Sequence, residues 1–441
     1  MHRLLGSMSG PKARLSSAAS GTVFVNLAGT GFRLLVQIFL ANWLGPTDYG
    51  RFVVARGWGG LLSRLPDRGY RLAVVRWLPH YERTGEADAY RGLVHQSVRS
   101  TLIASFVVTA AAIFVSILLL GGWSGPVTMG LTLIIVVSMM QMYRQILQAS
   151  YRHVVGVTFT EFVHPALFGI LAFAFALAVG RSVTASLFAL VLAGGGVAIL
   201  EALYVKRTLP VGSGTDSVDP VWREGTLPLF IGQLGNAGLE VSYLLIVGAI
   251  LGPRAAGIYA VAQRIAVLGR MGNSAVESVI GPEFSRLSAD GPAAAPQMQR
   301  VVDRGIAASS AFTAAACLVL LLGSDLALRA FGPEYTEGQS LLWLLLIGNL
   351  VNALSGPTGY LVSMTGSEKL WGYVMAGHAI VGATLAALVA WRWDSAIAVA
   401  LVATAITISW NVWLIVIGGR KLGVWCVPRP VRFLLHIKAN A

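Results

Sequence analysis

Five arginines stand inside strongly apolar stretches of the sequence, where a charged side chain is costly. They are Arg33, Arg56, Arg64, Arg264 and Arg270. A charge in such a stretch usually faces a partner or a water-filled cavity instead of lipid. The guanidinium group stays charged at any physiological pH and donates two parallel hydrogen bonds to a phosphate or carboxylate. These residues therefore indicate a chamber that binds an anion.

The first and seventh predicted helices each carry one polar face. At about 100° per residue, Asn26, Arg33 and Gln37 fall within about 60° of one another on the first helix. Gln233 and Glu240 share a face of the seventh helix, where Glu240 takes the position equivalent to Arg33. Both faces are expected to line a substrate cavity. An Arg33–Glu240 ion pair that only clasps the two helices stays open as an alternative.

The second predicted helix has a polar face of its own. Arg56, Arg64, Asp67 and Arg71 fall within about 80° of one another, if the helix continues through all four. Arg71 is close to the predicted helix end, where a long cation can extend to the lipid headgroups.

The eighth predicted helix repeats the pattern. Gln263, Arg270, Ser274 and Glu277 fall within about 60°, whereas Arg264 lies about 100° away and either packs on another helix or faces the cavity.

Three acids are candidates for coupling transport to an ion gradient, namely Asp67, Glu240 and Glu277. Glu161 and Glu201 lie near the predicted cytoplasmic ends of helices five and six, where an interfacial role fits better than proton coupling. Ser138 and Gln141 on helix four, and Asn349 and Asn352 on helix ten, are expected to form hydrogen bonds between helices. The coupling, interfacial and hydrogen-bonding roles of these residues are hypotheses from the sequence.

The composition requires a membrane protein. The 441 residues are 55% apolar and 12% charged, with a mean hydropathy of +0.69, whereas soluble domains have about 25% charged residues. The net charge of +13 would suit nucleic acid in a soluble protein, but here it fits the basic cytoplasmic loops of membrane proteins. Two cysteines and the absence of a phosphate-binding loop give no reason to expect a catalytic residue, metal or cofactor.

About twelve apolar stretches are long enough to cross a bilayer. They are predicted at residues 21–44, 50–76, 99–121, 126–148, 157–180, 183–205, 226–251, 256–285, 305–323, 337–364, 370–391 and 396–418. With loops assigned alternately to two sides, most Lys and Arg residues fall on the side of both termini, so the positive-inside rule places the termini in the cytoplasm.

An internal repeat sets the predicted architecture. A shift of 207 residues places Gly45-Pro46 on Gly252-Pro253 and Gly50 on Gly257. Each copy has six helices, so the repeats are parallel, with a central cavity between two helix bundles. The predicted divisions are an N-terminal six-helix lobe (1–206), a linker (207–225), a C-terminal six-helix lobe (226–419) and a basic cytoplasmic or interfacial tail (420–441).

Three motifs carry a family resemblance. They are Leu44-Gly45-Pro46-x2-Tyr49-Gly50, Asp67-x-Gly69-x3-Ala73-x2-Arg76-x2-Pro79-x-Tyr81, and Pro282-x2-Ser285-Arg286-Leu287. With them the chain resembles the Wzx-type polysaccharide (O-antigen) repeat-unit flippases of the multidrug/oligosaccharidyl-lipid/polysaccharide exporter superfamily.

The resemblance implies a V-shaped pair of bundles around a cavity bounded by helices one, two, seven and eight. It also implies no enzymatic step, and a cargo of undecaprenyl-diphosphate-linked oligosaccharide that crosses the bacterial inner membrane for lipopolysaccharide or exopolysaccharide synthesis. Polymerase or ligase machinery and membrane lipids are the implied partners. Arg33, Arg56, and Arg270 or Arg264 match the cavity arginines that bind the diphosphate in such proteins.

Two other functions are compatible with a many-helix membrane protein. A drug or cation antiporter of the same fold would need an acid-dominated cavity, which the arginines argue against. A membrane-embedded glycosyltransferase or polymerase would need an acidic metal motif or a large catalytic loop, and the predicted loops are short.

Overall fold

The computed structural model describes residues 11–150, 152–208, 226–271, 273, 276, 280, 283–284, 286–287, 294–364, 367–428 and 432. Within these residues the secondary structure is helical throughout, which confirms the all-α prediction. Among the described residues, eight helices are long and apolar enough to cross a membrane. They coincide with eight of the twelve predicted spans, and the chain is a multi-pass membrane protein.

The chain divides into two compact units. Unit 1 contains residues 1–44 and 58–226, and unit 2 contains residues 45–57 and 227–441. The assignment of residues 45–57 to the second unit was not predicted.

Unit 1 contains seven α-helices and one π-helical turn among the described residues. The helices are α1 (Pro11–Leu62, which also continues into unit 2), α2 (Tyr70–Thr84), α3 (Ala87–Leu120), α4 (Gly125–Ala149), α5 (His153–Val157), a π-helical turn (Thr158–Val163), α6 (His164–Val179) and α7 (Val183–Thr208). Helix α4 packs against α2, α3, α5 and α7, and α6 packs against α7.

Unit 2 holds the remaining helices. They are α8 (Thr226–Ile246), a π-helical turn (Val247–Leu251), α9 (Pro253–Gly269), α10 (Ala295–Leu322), α11 (Ser324–Phe331), a 3₁₀ turn (Pro333–Gly338), α12 (Gln339–Leu354), α13 (Thr358–Met364), α14 (Glu368–Trp393) and α15 (Ala396–Leu422). Helix α15 packs against α12, α13 and α14, while α10 and α9 both pack against α12.

The apolar surface of α3 shows why this chain needs a lipid environment. Only 11% of the most apolar part of α3 is buried inside the protein, and large side chains such as Phe106, Phe114 and Leu119 are exposed. Exposed apolar side chains on this scale would be unfavourable in water and are expected to contact acyl chains.

The predicted second span, residues 50–76, is wrong as a continuous helix. Helix α1 ends at Leu62 and α2 begins at Tyr70, with Arg68 (φ 45°) and Gly69 (φ 91°) in the left-handed region between them. Pro66 has no amide hydrogen to donate within a helix. The Asp67 carboxylate instead accepts a hydrogen bond from the Gly69 amide at 2.7 Å.

Two other predicted spans are also interrupted. The stretch 256–285 begins as α9, which starts at Pro253 and ends at Gly269. The stretch 337–364 is divided into α12 and α13 at Gly356 (φ 64°) and Pro357. Helix α1 is kinked at Gly45, between the predicted spans 21–44 and 50–76, with φ 75° and ψ 169°.

The described part of the tail, which was predicted to be cytoplasmic or interfacial, packs on unit 2. Val424 and Cys426 are buried in a core cluster with residues of α10. Gln299 exchanges two hydrogen bonds with the Trp425 backbone, at 2.8 and 3.0 Å. Arg432 forms an ion pair with Asp303 at 3.1 Å.

Candidate functional site

One carboxylate in unit 1 joins two arginines from different helices. Glu161 Oε2 lies 2.7 Å from Arg33 Nη2, and Glu161 Oε1 accepts a hydrogen bond from Arg144 Nη1 at 2.9 Å. The Glu161 side chain is only 13% exposed, whereas about a third of each guanidinium side chain is exposed. The shared carboxylate therefore fixes the positions of both arginines, while part of each arginine side chain remains exposed.

The local backbone places Glu161 at this position. Glu161 lies in the π-helical turn Thr158–Val163, and such turns occur frequently at functional sites because they displace side chains from the regular helical register. Gly29 of α1 allows the close approach, since a β-carbon there would lie 2.1 Å from the Glu161 carbonyl oxygen.

A second cluster forms where α1 ends. Gln141 Oε1 accepts a hydrogen bond from Arg64 Nη1 at 2.8 Å and another from Arg71. Arg71 also pairs with Asp67, and both side chains are buried. The expectation that Arg71 extends to the headgroups is therefore wrong. Gln141 confirms the predicted interhelical hydrogen bonding on α4.

The structure thus brings together Arg64 and Asp67, but not through the continuous helix that was predicted. The break at residues 63–69 folds Asp67 and Arg71 back towards α4. Gln141 and Arg144 are three residues apart on α4 and so lie on one side of that helix. Unit 1 consequently carries two adjacent polar clusters, with four guanidinium groups and the two carboxylates that pair with them.

Glu201 and Gln37 are buried polar side chains with oxygen atoms that accept no hydrogen bond in the described chain. These atoms are both carboxylate oxygens of Glu201 and Oε1 of Gln37. Glu201 is 0% exposed, so the interfacial role expected for it is wrong. Leaving such groups unpaired costs free energy.

Unit 2 holds a different set of predicted residues. Arg56 and Arg264 are both half-buried and lie within electrostatic range of the buried Tyr49. Gln263 donates a hydrogen bond to the backbone carbonyl of Glu240 at 3.0 Å, and Glu240 itself is exposed. Arg56 and Arg264 are therefore both close to Tyr49.

The remaining predicted residues are less informative. Gln233 is half-buried on α8, and Arg270 is exposed at the end of α9. The side chain of Asn26 and the whole of Glu277 lie outside the described residues. Arg33 takes Glu161 as its carboxylate partner, so an Arg33–Glu240 clasp is not needed to neutralise it.

The predicted repeat is visible as a reciprocal contact within unit 2. A β-carbon at Gly50 would lie 1.7 Å from the Pro253 carbonyl oxygen, and one at Gly257 would lie 2.1 Å from the Pro46 carbonyl oxygen. The two copies of the Gly-Pro motif thus pack their backbones against each other in the same way. Only glycine permits this approach.

Other predicted polar contacts are present. Ser138 donates to the Ser63 carbonyl at 2.9 Å. Asn349 donates to the Ala266 carbonyl at 2.7 Å, and Asn411 donates to the Asn352 side chain at 3.1 Å. These bonds confirm that such residues join helices. No cluster of metal-binding side chains occurs among the described residues.

Sequence reasoning missed Arg144 and Glu161 as site residues. Arg144 was not singled out, and Glu161 was assigned an interfacial role because it was judged only by its distance from a predicted helix end. An acid inside an otherwise apolar run was the available signal.

Comparison with known proteins identifies both a family and a fold. The family model described as "Polysaccharide biosynthesis protein" matches residues 18–288, well over half of the chain. No curated protein matches the sequence significantly.

Solved structures match nearly the whole chain. An inward-facing multidrug resistance MATE family transporter of the MOP superfamily has 14% identity and a TM-score of 0.71, and the match covers 92% of this chain and 98% of that one. A mutant of the Vibrio cholerae MATE transporter VcmN has 13% identity and a TM-score of 0.65, over 92% and 97%. A MATE structure in a bent conformation has 14% identity and a TM-score of 0.60, over 94% and 96%. At these identities the likeness shows the fold.

Proposed function

Because this chain belongs to the polysaccharide biosynthesis protein family, we propose that it is a flippase for lipid-linked oligosaccharide repeat units. Its cargo would be an undecaprenyl-diphosphate-linked oligosaccharide that moves from the cytoplasmic to the outer leaflet of a bacterial inner membrane. The MATE-like fold, shared over most of the chain with transporters of the MOP superfamily, supports a transport role.

The observation that carries the proposal is the Glu161 site of unit 1, where two guanidinium groups share one carboxylate. Arg33 and Arg144 both pair with Glu161, and about a third of each guanidinium side chain is exposed. Charge that leaves water without full compensation is costly. An anionic headgroup would reduce that cost, and the partly open Arg33 and Arg144 present their forks to a diphosphate.

The barrier to transport is the desolvation of a polar headgroup, so no covalent bond needs to change. A diphosphate that leaves water without a partner would pay a large free-energy cost. The arginines would replace water during the crossing, and Arg56 and Arg264 would serve the same purpose in unit 2. The lipid tail would remain in the bilayer beside the predicted cavity while the two lobes alternate in access.

Two of the acids predicted to couple transport to an ion gradient differ in whether their carboxylates are already paired. Asp67 is engaged by Arg71, which makes it a poor coupling acid. Glu240 is exposed and is the better candidate for coupling transport to an ion gradient. Both termini would lie in the cytoplasm, and polymerase or ligase enzymes would consume the product outside.

A drug or cation antiporter is the second candidate, because multidrug transporters share the fold. The pairing of Glu161 and Asp67 with arginines argues against it, since neither carboxylate is left to attract a cation.

Leaflet transfer in vesicles distinguishes these functions. The purified protein is reconstituted with a labelled undecaprenyl-diphosphate oligosaccharide, and the sugar exposed on the far leaflet is measured with a membrane-impermeant reagent. We expect transfer above the protein-free rate, and transfer at least about tenfold slower for the same sugar on a neutral lipid, because the arginines recognise the diphosphate. Transfer of a cationic dye in place of the lipid would contradict the proposal.

A further inference from the structure

A small cavity lies beside α2, and none of its lining residues belongs to the two polar clusters around Glu161 and Gln141. Its volume is about 340 Å³, and it is lined by Arg76, Trp77, Pro79, His80 and Arg83. No carboxylate is among these residues. A cavity with two guanidinium groups, an imidazole and an indole has the composition of a site for an anion.

The two sides of α2 differ sharply. Val74, Leu78 and Tyr81 are buried in a core cluster with α3 and α4. With about 100° per residue, Arg76, His80 and Arg83 fall within about 60° of one another on the opposite side. The core cluster therefore holds the helix in place and presents the three basic side chains outward.

The two arginines have no acidic partner in the described chain. No ion pair there includes Arg76 or Arg83, and both are exposed. Arg76 lies 5.6 Å from the centroid of the Trp77 ring, and Trp77 also stacks on Tyr81. Glu82 is exposed and does not line the cavity. The aromatic ring positions the Arg76 guanidinium group, which pairs with no carboxylate among the described residues.

The length and chain position of α2 indicate a place at the membrane surface. Along the chain, α2 lies between the end of α1 and the membrane-length α3. Its 15 residues are too few to cross a bilayer. Trp and Arg are both favoured at the level of the lipid headgroups. Under the positive-inside rule this surface is the cytoplasmic leaflet.

We propose that this α2 cavity binds the phosphate of a lipid headgroup at the membrane surface. Arg76 and Arg83 supply charge-assisted hydrogen bonds to the phosphate oxygens, and His80 adds a donor. The phosphate comes from an anionic phospholipid or from the diphosphate of the lipid-linked cargo. The second source rests on the proposed function, whereas the first does not.

Lipid binding by the purified full-length chain tests the site. Native mass spectrometry measures the affinity for short-chain phosphatidylglycerol, for undecaprenyl diphosphate, for a diacylglycerol without phosphate, and for inorganic pyrophosphate as a soluble competitor. The variant is the double substitution Arg76→Gln/Arg83→Gln. The control is Arg99→Gln/Arg207→Gln, which removes the same charge from two exposed positions predicted on the same side.

We expect Arg76→Gln/Arg83→Gln to weaken binding of the phosphate-bearing lipids at least about tenfold, because two charge-assisted contacts are lost. The control should stay within about twofold of the native affinity, and diacylglycerol should not bind to the cavity. Because the substituted side chains are exposed, helical content measured by circular dichroism should not change.

Equal losses in both double variants would show that binding follows net charge, and would overturn the proposal. Binding of pyrophosphate without either lipid would overturn the assignment to a headgroup. Binding of phosphatidylglycerol alone would retain the site and assign it to membrane phospholipid, while binding of undecaprenyl diphosphate alone would assign it to the cargo. Either result is independent of whether the transfer assay succeeds.

Discussion

At the scale of single residues, Glu161 explains how two arginines are kept inside an apolar helical unit. Each of its oxygens faces a different guanidinium group, at 2.7 and 2.9 Å. A buried charge left without its partner is strongly destabilising. The stability of unit 1 should therefore depend on this carboxylate more than on any exposed ion pair.

The substitution Glu161→Gln should lower the free energy of unfolding by about 1–3 kcal/mol, reduced from the value for fully buried pairs because the arginines are one-third exposed. Thermal unfolding in detergent, followed by circular dichroism, measures the change. Glu337→Gln is the matched control, because Glu337 pairs with Arg254 where both are about half exposed, and should cost less than about 1 kcal/mol. Equal effects would contradict the bridging role.

Glu201 supports the opposite prediction. Its buried oxygens accept no hydrogen bond in the described chain, although Arg144 acts on the carboxyl group electrostatically. Glu201→Leu should raise the free energy of unfolding by about 1–3 kcal/mol, since a polar group without a hydrogen bond is removed. The same unfolding measurement applies. A loss of stability would mean that the attraction between Glu201 and Arg144 outweighs the cost of the missing hydrogen bonds.

The sequence predicted which polar residues are inside the helices but not their partners. Helical periodicity placed Arg33 on a polar face, whereas its partner Glu161 is 128 residues away and is positioned by a π-helical turn. A helical periodicity of 100° per residue does not predict a π-helical turn. Gln141 was predicted correctly as an interhelical donor or acceptor because a buried amide needs a partner whichever helix supplies it.

At the scale of helices, the two Gly-Pro motifs determine how closely their segments approach. Gly50 and Gly257 each face a carbonyl oxygen of the other motif. The repeat was readable from the sequence, because glycine and proline recur at the same spacing. The break at residues 63–69 was not, because an apolar run with polar residues at helical spacing is compatible with one long helix.

Gly50→Ala should destabilise the protein by at least about 3 kcal/mol, because the added methyl group overlaps the Pro253 carbonyl oxygen and backbone has little room to move. Gly31→Ala is the control, since no atom lies within 4 Å of a β-carbon there, and should stay within about 1 kcal/mol. Thermal melting of both variants decides the matter. A Gly50→Ala protein as stable as Gly31→Ala would disprove the close contact.

At the scale of the whole molecule, the arrangement of the chain across the membrane is the basis of the proposed direction of transport. The count of spans and the positive-inside rule were available from the sequence, and eight of the predicted spans appear as long apolar helices. The division of α1 between units was not available, because it depends on which segments pack together.

Thiol labelling tests the predicted orientation. In intact cells an impermeant maleimide should label Arg181→Cys, in the turn before α7, but should label Arg207→Cys only after the inner membrane is permeabilised. The native thiols should stay silent, because both are buried and burial raises the pKa of Cys426 to about 12, so little reactive thiolate forms. The reverse labelling pattern would invert the proposed topology.

The most direct test of the account is the initial rate of lipid-diphosphate oligosaccharide transfer in vesicles containing Arg33→Gln or Arg56→Gln protein. Each variant should transfer at least about tenfold more slowly than the native protein, because a guanidinium group that would hold the diphosphate is lost. Arg51→Gln, at an exposed position of α1, should stay within about twofold of the native rate. Native rates in both Arg33→Gln and Arg56→Gln would show that these arginines do not carry the cargo.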